Sequence, residues 1–255
     1  MIITTLNLQE FNSWEVRQSA IIEYLKSTSA DIILFQEVVF LPTISPYNQV
    51  QLLNQTLKYP HIHSAVTRLQ PSSKYETYRE GLAALSKYPV VQSDTIILKQ
   101  TQGDEHNRIV QLLDIEIDER IVKIANIHFS LSGTVDYATP HLKETLELLA
   151  SRGEERIIGG DFNLSNLEEM SDLWEANYRC STEQDYISFP SMNKRIDYFL
   201  IPKSYAFDSI ATSEAVISDH QALTVEISPQ SYSFTTISAA EGETADKEAL
   251  TLGIS

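Results

Sequence analysis

Cysteine is almost absent from this sequence, and its scarcity excludes one class of protein. Cys180 is the only cysteine among 255 residues, so the chain cannot form an internal disulfide. A small domain held together by disulfides is therefore excluded, and a reducing compartment is indicated. We expect the thiol to be buried or incidental, because no obvious activating base lies near it in the sequence.

Positive charge is also scarce. Lys and Arg number 19 against 35 Asp and Glu, which gives a formal net charge of -16 and a pI near 4.7. Proteins that hold nucleic acid through many phosphate contacts carry a basic surface, and this composition offers no broad one. A polyanionic partner would need local Lys or Arg contacts or a bridging metal ion.

Long hydrophobic runs are missing as well. No apolar run approaches the roughly 20 residues that a helix needs to cross a bilayer. The N-terminus lacks the basic and then apolar order of a signal peptide. We therefore expect a cytoplasmic protein with no stable membrane association.

What is present predicts an α/β protein. β-branched and apolar runs at residues 1–7 and 31–37 predict two strands, and the apolar spacing at residues 14–27 predicts an amphipathic helix between them. Strand, helix and strand in this order indicate a parallel or mixed sheet. Residues 82–86 and 90–98 are predicted to pair, and residues 109–117 and 121–129 to form a hairpin. Further strands are predicted at 62–67, 157–161, 195–201, 205–211 and 222–227, with helices at 49–57 and from 139.

Chain length and composition predict the domain organisation. A chain of this length is commonly a single α/β domain, which we place at residues 1–228. After that point the composition changes to Ser, Thr, Ala and Glu with little periodicity, so residues 229–255 are predicted to be a flexible tail. The sequence contains no phosphate-binding glycine loop of the GxxxxGK type.

Polar residues follow the apolar part of most predicted strands. In Gly159-Gly160-Asp161-Phe162-Asn163, two glycines let the backbone run close to its neighbours before Asp161 and Asn163 emerge. Side chains two positions apart on a strand point the same way, so these two are expected to face a reacting group together. The complete set of such candidates comprises Asn7, Glu37, Glu80, His128, Asp161, Asn163, Asp197, Asp219 and His220.

The residue types in this set point to metal-assisted acid–base chemistry. Carboxylate and amide oxygens suit a hard cation such as Mg²⁺. The two histidines come without a cysteine cluster, which argues against a structural zinc site. A histidine beside carboxylates that orient its ring can act as a general acid or base. Taken singly, each residue could equally cap a turn or fill an ordinary polar position.

Seven short motifs make the set more specific. They are Asn7, Phe35-Gln36-Glu37, the run from Glu80 to Pro89, Asn126-Ile127-His128, Gly159 to Asn163, Arg195 to Tyr198 and Ser218-Asp219-His220. In this order, over about residues 2–227, they resemble the motifs of the endonuclease/exonuclease/phosphatase superfamily. The resemblance implies a four-layer α/β sandwich, in which helices flank two packed mixed β-sheets. It also implies a divalent-metal-dependent hydrolase of phosphoester bonds, with residues 1–228 as its catalytic domain.

The resemblance implies a metal and phosphate site. Glu37 would be the principal ligand of Mg²⁺, for which Mn²⁺ can substitute. Asn7 and Asp219 would lie around the metal or the phosphate. Asp161 would orient or deprotonate the attacking water, and Asn163 would hold a non-bridging phosphate oxygen.

It also implies roles for the two histidines. His220, polarised by Asp197, would act as general base or stabilise the charged transition state. His128, paired with Glu80, would contact the phosphate or protonate the leaving oxygen. In-line attack on a phosphoester needs this combination of positioned water, charge neutralisation and leaving-group assistance.

Departures from known branches narrow the resemblance. Gln9 and His128 occupy positions where abasic-site endonucleases commonly carry an acidic residue and a tyrosine, and the inositol phosphatases differ around Asp161. What remains resembles the small bacterial hydrolases of the superfamily. We expect a monomer that acts on a phosphorylated small molecule or a nucleic acid, with a slight preference for the small molecule because of the acidic charge.

Two alternatives remain open. One is a sphingomyelinase-like lipid phosphodiesterase, which would need an exposed apolar patch. The other is a catalytically silent module that binds a phosphorylated ligand, since a fold alone does not establish catalysis. Arg68, Lys74 and Arg79, in or beside a polar loop near the expected site, are predicted to be solvated surface residues rather than phosphate contacts.

Overall fold

Two six-stranded β-sheets form the centre of the computed structural model, which describes residues 1–73, 76–214 and 217–230. In chain order the strands are β1 (Ile2–Asn7), β2 (Ile32–Phe40), β3 (His61–Gln70), β4 (Tyr78–Ser86), β5 (Val90–Ile97), β6 (Ile109–Ile117), β7 (Arg120–His128), β8 (Ile157–Asp161), β9 (Tyr178–Cys180), β10 (Asp197–Pro202), β11 (Tyr205–Thr212) and β12 (Leu223–Pro229). The helices are α1 (Trp14–Thr28), α2 (Gln49–Leu57), α3 (Ala138–Ser151) and the short α4 (Ser171–Trp174).

Each sheet is mixed, with one parallel pair at its centre. The first sheet has the order β11-β12-β1-β2-β4-β3, and the second has the order β5-β6-β7-β8-β10-β9. The parallel pairs are β1 with β2 and β7 with β8, and the other neighbours are antiparallel. Helices α1 and α2 cover the first sheet and α3 covers the second. This arrangement confirms the predicted four-layer α/β sandwich.

The core between the sheets is apolar and tightly packed. Fully buried residues of both sheets, among them Leu34, Ile124 and Phe199, form one cluster. At Gly159 a Cβ atom would lie 2.3 Å from a ring carbon of Phe199, so only glycine leaves room for the ring. Gly160, with φ of 142°, passes so close to β7 that a Cβ atom would lie 2.1 Å from the carbonyl oxygen of Ile127.

A buried polar network joins the two sheets near the carboxyl ends of β1 and β7. Gln36 donates to Asn126 Oδ1 at 2.8 Å, and Asn126 donates to Gln111 Oε1 at 3.1 Å. Asn126 also donates to the carbonyl oxygens of Phe35 and Ala83 in the other sheet. Each buried polar group thus finds a partner across the interface, which fixes how the sheets are aligned.

The predicted hairpin of residues 109–117 and 121–129 is confirmed, but the predicted pairing of residues 82–86 with 90–98 is wrong. Strand β4 pairs with β2 and β3, whereas β5 pairs with β6 in the other sheet. The residues between them carry the chain from one sheet to the other. The turn residues between β4 and β5 indicate that the chain changes direction, but they do not indicate which strands β4 and β5 pair with.

The starts of two helices lie at or within one residue of the predicted positions. Helix α1 begins at Trp14 as predicted, and Ser13, which precedes it, makes no capping hydrogen bond through its side chain. Helix α3 begins at Ala138, where Asp136 Oδ1 accepts from the amides of Ala138 and Thr139 at 3.1 and 3.0 Å. In this position the Asp136 carboxylate caps the first turn of the helix.

The described residues end just after the last strand. Strand β12 ends at Pro229, and the amide of Gln230 donates to Ser204 O at 2.7 Å. Residues 231–255, which make up nearly all of the predicted tail, lie outside the described residues, as does Lys74. No helix in the described part of the chain has the length and hydropathy needed to cross a membrane.

Candidate active site

The structure brings all nine predicted site residues to one end of the sandwich. Six of them line a cleft of about 320 Å³, namely Glu37, His128, Asp161, Asn163, Asp219 and His220. Asn7, Glu80 and Asp197 lie directly behind them and contact them or their neighbours. The nine side chains therefore form one group around the cleft.

Asp161 is the centre of this arrangement. Its Oδ2 atom accepts from Asn7 Nδ2 at 3.0 Å and lies 3.5 Å from His128 Nε2 and 3.8 Å from His220 Nε2. The strand register explains this geometry, because His128 and Asp197 are the direct partners of Asp161 on β7 and β10. Burial raises the pKa of Asp161 to about 6, and the nearby Asp197 carboxylate adds to this effect.

Asn163 reaches the cleft by a different route from the predicted one. It lies beyond the end of β8 with φ of 51°, so a left-handed backbone directs it rather than strand alternation. Its amide donates to Asp161 Oδ1 at 2.9 Å, and its Nδ2 donates to Phe129 O at 2.9 Å. Since an Nδ2 group carries two protons, one N–H remains available to a ligand in the cleft.

Glu37 lies within β2 and not at its end. A β-bulge between Phe35 and Val38 interrupts the strand here, and Glu37 has φ of 52°. The bulge turns the carboxylate into the cleft, where Oε1 accepts from Asn7 Nδ2 at 3.2 Å. Burial and the nearby Glu80 carboxylate raise the pKa of Glu37 to about 8.

His220 forms a buried pair with Asp197. The distance from His220 Nδ1 to Asp197 Oδ2 is 2.8 Å, and the ring of Phe189 packs against the imidazole with 5.0 Å between centroids. Burial alone would lower the pKa of His220, but the carboxylates of Asp197 and Asp161 outweigh it and raise this pKa to about 10. In the protein without a cation, His220 is therefore protonated at neutral pH.

His128 has a different partner from the predicted one. Arg108 Nη1 lies 3.0 Å from His128 Nδ1, whereas Glu80 pairs with Arg68 and Arg108. A guanidinium can only donate, so Nδ1 accepts and the proton of the neutral ring sits on Nε2, facing Asp161. Burial, together with the positive charge of Arg108, holds the pKa of His128 well below its usual value.

Sequence reasoning missed the cationic residues on this side of the cleft. Arg68 was expected at the solvated surface, but its side chain is only 11% exposed and donates to Glu80 Oε2 at 2.7 Å. Arg108 is 2% exposed, and His106 contacts Arg68. The register of β3 against β4 places Arg68 opposite Glu80, and no local sequence signal reveals such a pairing.

Two neighbouring groups of side chains, with no residue in common, could hold a metal ion. Asp161, Asp197 and His220 offer buried ligand atoms that all lie within 4.8 Å of one another. Glu37, Asn7 and Asp219 offer carboxylate and amide oxygens at the same cleft. In the second group a carboxyl with a raised pKa gains most from a nearby cation, so the donor chemistry fits a divalent metal.

Solved structures with the same fold are numerous, although their sequences are distant. A protein from Beutenbergia cavernae described as an endonuclease/exonuclease/phosphatase has 16% identity and a TM-score of 0.74, and the match covers 90% of this chain and 71% of that one. A family protein from Leptotrichia buccalis has 18% identity, a TM-score of 0.73 and coverage of 89% and 99%. The human Nocturnin catalytic domain, solved with a bound sulfate anion, has 17% identity, a TM-score of 0.69 and coverage of 90% and 94%.

These structures show the fold, and sequence comparison identifies the family. No curated protein sequence matches the chain. The family model described as Endonuclease/Exonuclease/phosphatase family matches residues 4–220, a range that holds all nine site residues. On this match, the chain belongs to the endonuclease/exonuclease/phosphatase family.

Proposed function

We propose that this protein is a Mg²⁺-dependent phosphoesterase that hydrolyses its substrate with a water molecule positioned at Asp161. One observation carries the proposal. Asp161 Oδ2 lies 3.0 Å from Asn7 Nδ2, 3.5 Å from His128 Nε2 and 3.8 Å from His220 Nε2, in a cleft that Glu37 also lines. An acceptor carboxylate between two imidazole groups can hold a water molecule beside a phosphate and offer donors to its oxygens.

Glu37 is the proposed principal ligand of the metal, with Asn7 and Asp219 beside it. When bound, Mg²⁺ would neutralise charge that develops on the phosphate. We prefer this group to Asp161, Asp197 and His220, because a protonated imidazole that is hydrogen-bonded to Asp197 has no lone pair free for a metal. Mn²⁺ is expected to substitute, since oxygen ligands accept both ions.

The proposed work at the phosphate is divided among four side chains. Asp161, with a pKa of about 6, is mostly ionised at neutral pH and accepts a hydrogen bond from the attacking water. Protonated His220 and the neutral Nε2–H of His128 donate to phosphate oxygens whose charge grows in the transition state. The free N–H of Asn163 would hold a non-bridging oxygen.

The protonation state of His220 favours one of the two roles considered for this side chain. A group with a pKa of about 10 already carries its proton at neutral pH and cannot accept another. The Asp197 pair therefore favours charge stabilisation over general base catalysis, and Asp161 is the better acceptor for the proton of water. The low pKa of His128 likewise favours hydrogen-bond donation over full protonation of a leaving group.

The substrate, location and assembly of the protein stay proposals as well. We propose a phosphorylated small molecule or nucleic acid as substrate, a cytoplasmic location and a monomeric state. Leu131 and Met192 are exposed apolar side chains at the cleft. A lipid phosphodiester is therefore a second candidate substrate, because such side chains favour contact with lipid.

A hydrolysis panel tests the proposal. Purified protein is given a phosphomonoester, a phosphodiester, supercoiled plasmid and sphingomyelin, each with Mg²⁺ and with EDTA. We expect turnover of at least one substrate with Mg²⁺ only, and a loss of about 10² to 10⁴-fold in His220→Asn and Asp161→Asn. His61→Asn, on the far end of β3, is the matched control and should keep the wild-type rate. Metal binding without turnover of any substrate would support the silent binding module instead.

A further inference from the structure

The two halves of the cleft differ in chemistry. On the side of His128, Arg108 contacts the imidazole and Arg68 lines the same wall. On the side of His220, the ring of Phe189 packs against the imidazole. A phosphoester bound between the two histidines would therefore have guanidinium groups near His128 on one side and the apolar ring of Phe189 near His220 on the other.

Three more apolar side chains line the cleft. Met192 and Ile196 line the cleft from the same segment as Phe189, and Leu131 lines it from the loop after β7. Met192 is 59% exposed and Leu131 is 61% exposed. Large apolar side chains beside a cleft are favourable contacts for a ligand, because binding removes them from water.

The guanidinium groups of the other half are already neutralised by protein carboxylates. Arg68 Nη2 lies 2.5 Å from Glu80 Oε2 and 3.8 Å from Glu10 Oε1, and Arg108 Nη1 lies 4.0 Å from Glu80 Oε1. Among the described lysine and arginine residues that line the cleft, Lys194 is the one that forms no ion pair. One uncompensated cation suits a single phosphate group, whereas a polyanion needs a row of them.

We propose that the cleft takes a small phosphoester whose organic group is apolar, aliphatic or aromatic, and that this group packs against Phe189, Met192 and Leu131. The inference rests on the proposed phosphoesterase function and narrows its substrate class. At about 320 Å³ the cleft is at the lower end of ligand sites, which are roughly 300–1,000 Å³. A soluble ester of an apolar alcohol and the phosphate of a lipid headgroup share this chemistry.

Binding of phosphonates to the full chain with Mg²⁺ tests the substrate class. Methylphosphonate, phenylphosphonate and hexylphosphonate share one anionic group and differ only in the apolar part. The phenyl and hexyl compounds should bind about tenfold more tightly than the methyl compound. Met192→Ser and Leu131→Ser should each reduce this preference about fivefold, because each removes apolar contact area.

The matched control is Val16→Ser on α1, which alters a side chain that is 81% exposed and lies outside the cleft lining. It should leave the preference unchanged, and circular dichroism should show that all variants are folded. Equal binding of the three phosphonates, absence of binding by all three, or a preference that survives both cleft variants would overturn the proposal.

The design separates this inference from the proposed function. Phosphonates are not hydrolysed, so the preference can be measured whether or not the protein turns over a substrate. Tighter binding of the phenyl and hexyl phosphonates without hydrolysis of any ester contradicts only the proposed function. Hydrolysis of an ester without this binding preference contradicts only the proposed substrate class.

A comparison of two esters identifies the source of the apolar group. Faster turnover of phosphatidylcholine vesicles than of a soluble phenyl phosphodiester indicates a lipid substrate, and the reverse indicates a soluble one. Nicking of plasmid with no turnover of either apolar ester overturns the inference.

Discussion

His128 shows how one neighbouring side chain sets the chemistry of a catalytic candidate. Arg108 donates to its Nδ1 atom at 3.0 Å and is itself buried, so the imidazole is held in one orientation. The adjacent positive charge also disfavours the imidazolium form. His128 is therefore neutral, and its Nε2 proton points at Asp161.

Substitution of Arg108 tests this statement. Arg108→Met should lower kcat on the order of 100-fold with a smaller change in KM, because the Nε2–H is no longer fixed. Nitrogen NMR shifts of His128 should show loss of the single Nε2–H tautomer and a raised pKa. Compared with Arg108→Met, Arg108→Lys should lower the pKa of His128 again, because it restores a positive charge, but it should do little to fix the orientation of the ring. An unchanged tautomer in Arg108→Met would contradict this role.

The proposed role of Glu37 as a metal ligand predicts that metal binding is linked to proton release. Its pKa is about 8 in the protein without metal, so a cation that binds the carboxylate must displace a proton at neutral pH. Affinity for Mg²⁺ should therefore rise about tenfold per pH unit between pH 6 and 7 and level off above pH 8. Calorimetry in buffers of different ionisation enthalpy measures the released proton. Glu37→Gln should bind Mg²⁺ weakly and release none, whereas pH-independent affinity of the wild type would refute the assignment.

At the scale of elements, β8 depends on two glycines that let it pass between its neighbours. A Cβ atom at Gly159 would lie 2.3 Å from the ring of Phe199 on β10. Gly159→Ala should therefore destabilise the protein by about 1 to 3 kcal/mol, through overpacking of the core.

The double variant Gly159→Ala with Phe199→Leu identifies the cause. If the ring is the obstacle, the double variant should be more stable than the sum of the two single changes predicts. Urea unfolding curves of all four proteins give the coupling free energy. Strict additivity would show that the loss comes from the backbone and not from contact with the ring.

Strands and the residues that follow them can be predicted from the sequence, whereas bulges and contacts between distant strands cannot. Strands with strong apolar patterns, such as β1 and β8, were predictable together with the polar residues that follow them. The bulge at Glu37 was not, because no glycine or proline marks it and it depends on pairing with β4. Arg108 and Arg68 were missed for a related reason: they meet His128 and Glu80 only through sheet pairing and packing of distant segments.

At the scale of the whole molecule, the site makes stability depend on pH. The pKa of His220 rises from 6.5 in the unfolded chain to about 10 in the fold, so the folded state binds the extra proton between these values. The stability that this pair contributes is fully present below pH 6.5 and is lost as the pH rises through about 10. Glu37, whose pKa is raised to about 8, shifts stability in the same direction over a lower range.

Melting temperatures in EDTA at pH 6.5, 8 and 10 test this dependence. The wild type should lose stability across the series, and His220→Asn should lose less because it has no proton to release. In Glu37→Gln the melting temperature should change less with pH below pH 8 than it does in the wild type. Parallel curves for all three proteins would show that the folded state does not hold these protons.

We propose above all that a cation held at Glu37 enables phosphoester hydrolysis at Asp161, and a Mg²⁺ titration of the hydrolysis rate tests this proposal most directly. With a soluble phosphodiester, the wild type should show no turnover in EDTA and a saturable rise with Mg²⁺. Glu37→Gln should need far more Mg²⁺ and reach a lower rate, while His61→Asn should follow the wild type. Hydrolysis that persists in EDTA, or a Glu37→Gln curve that overlays the wild type, would contradict the account.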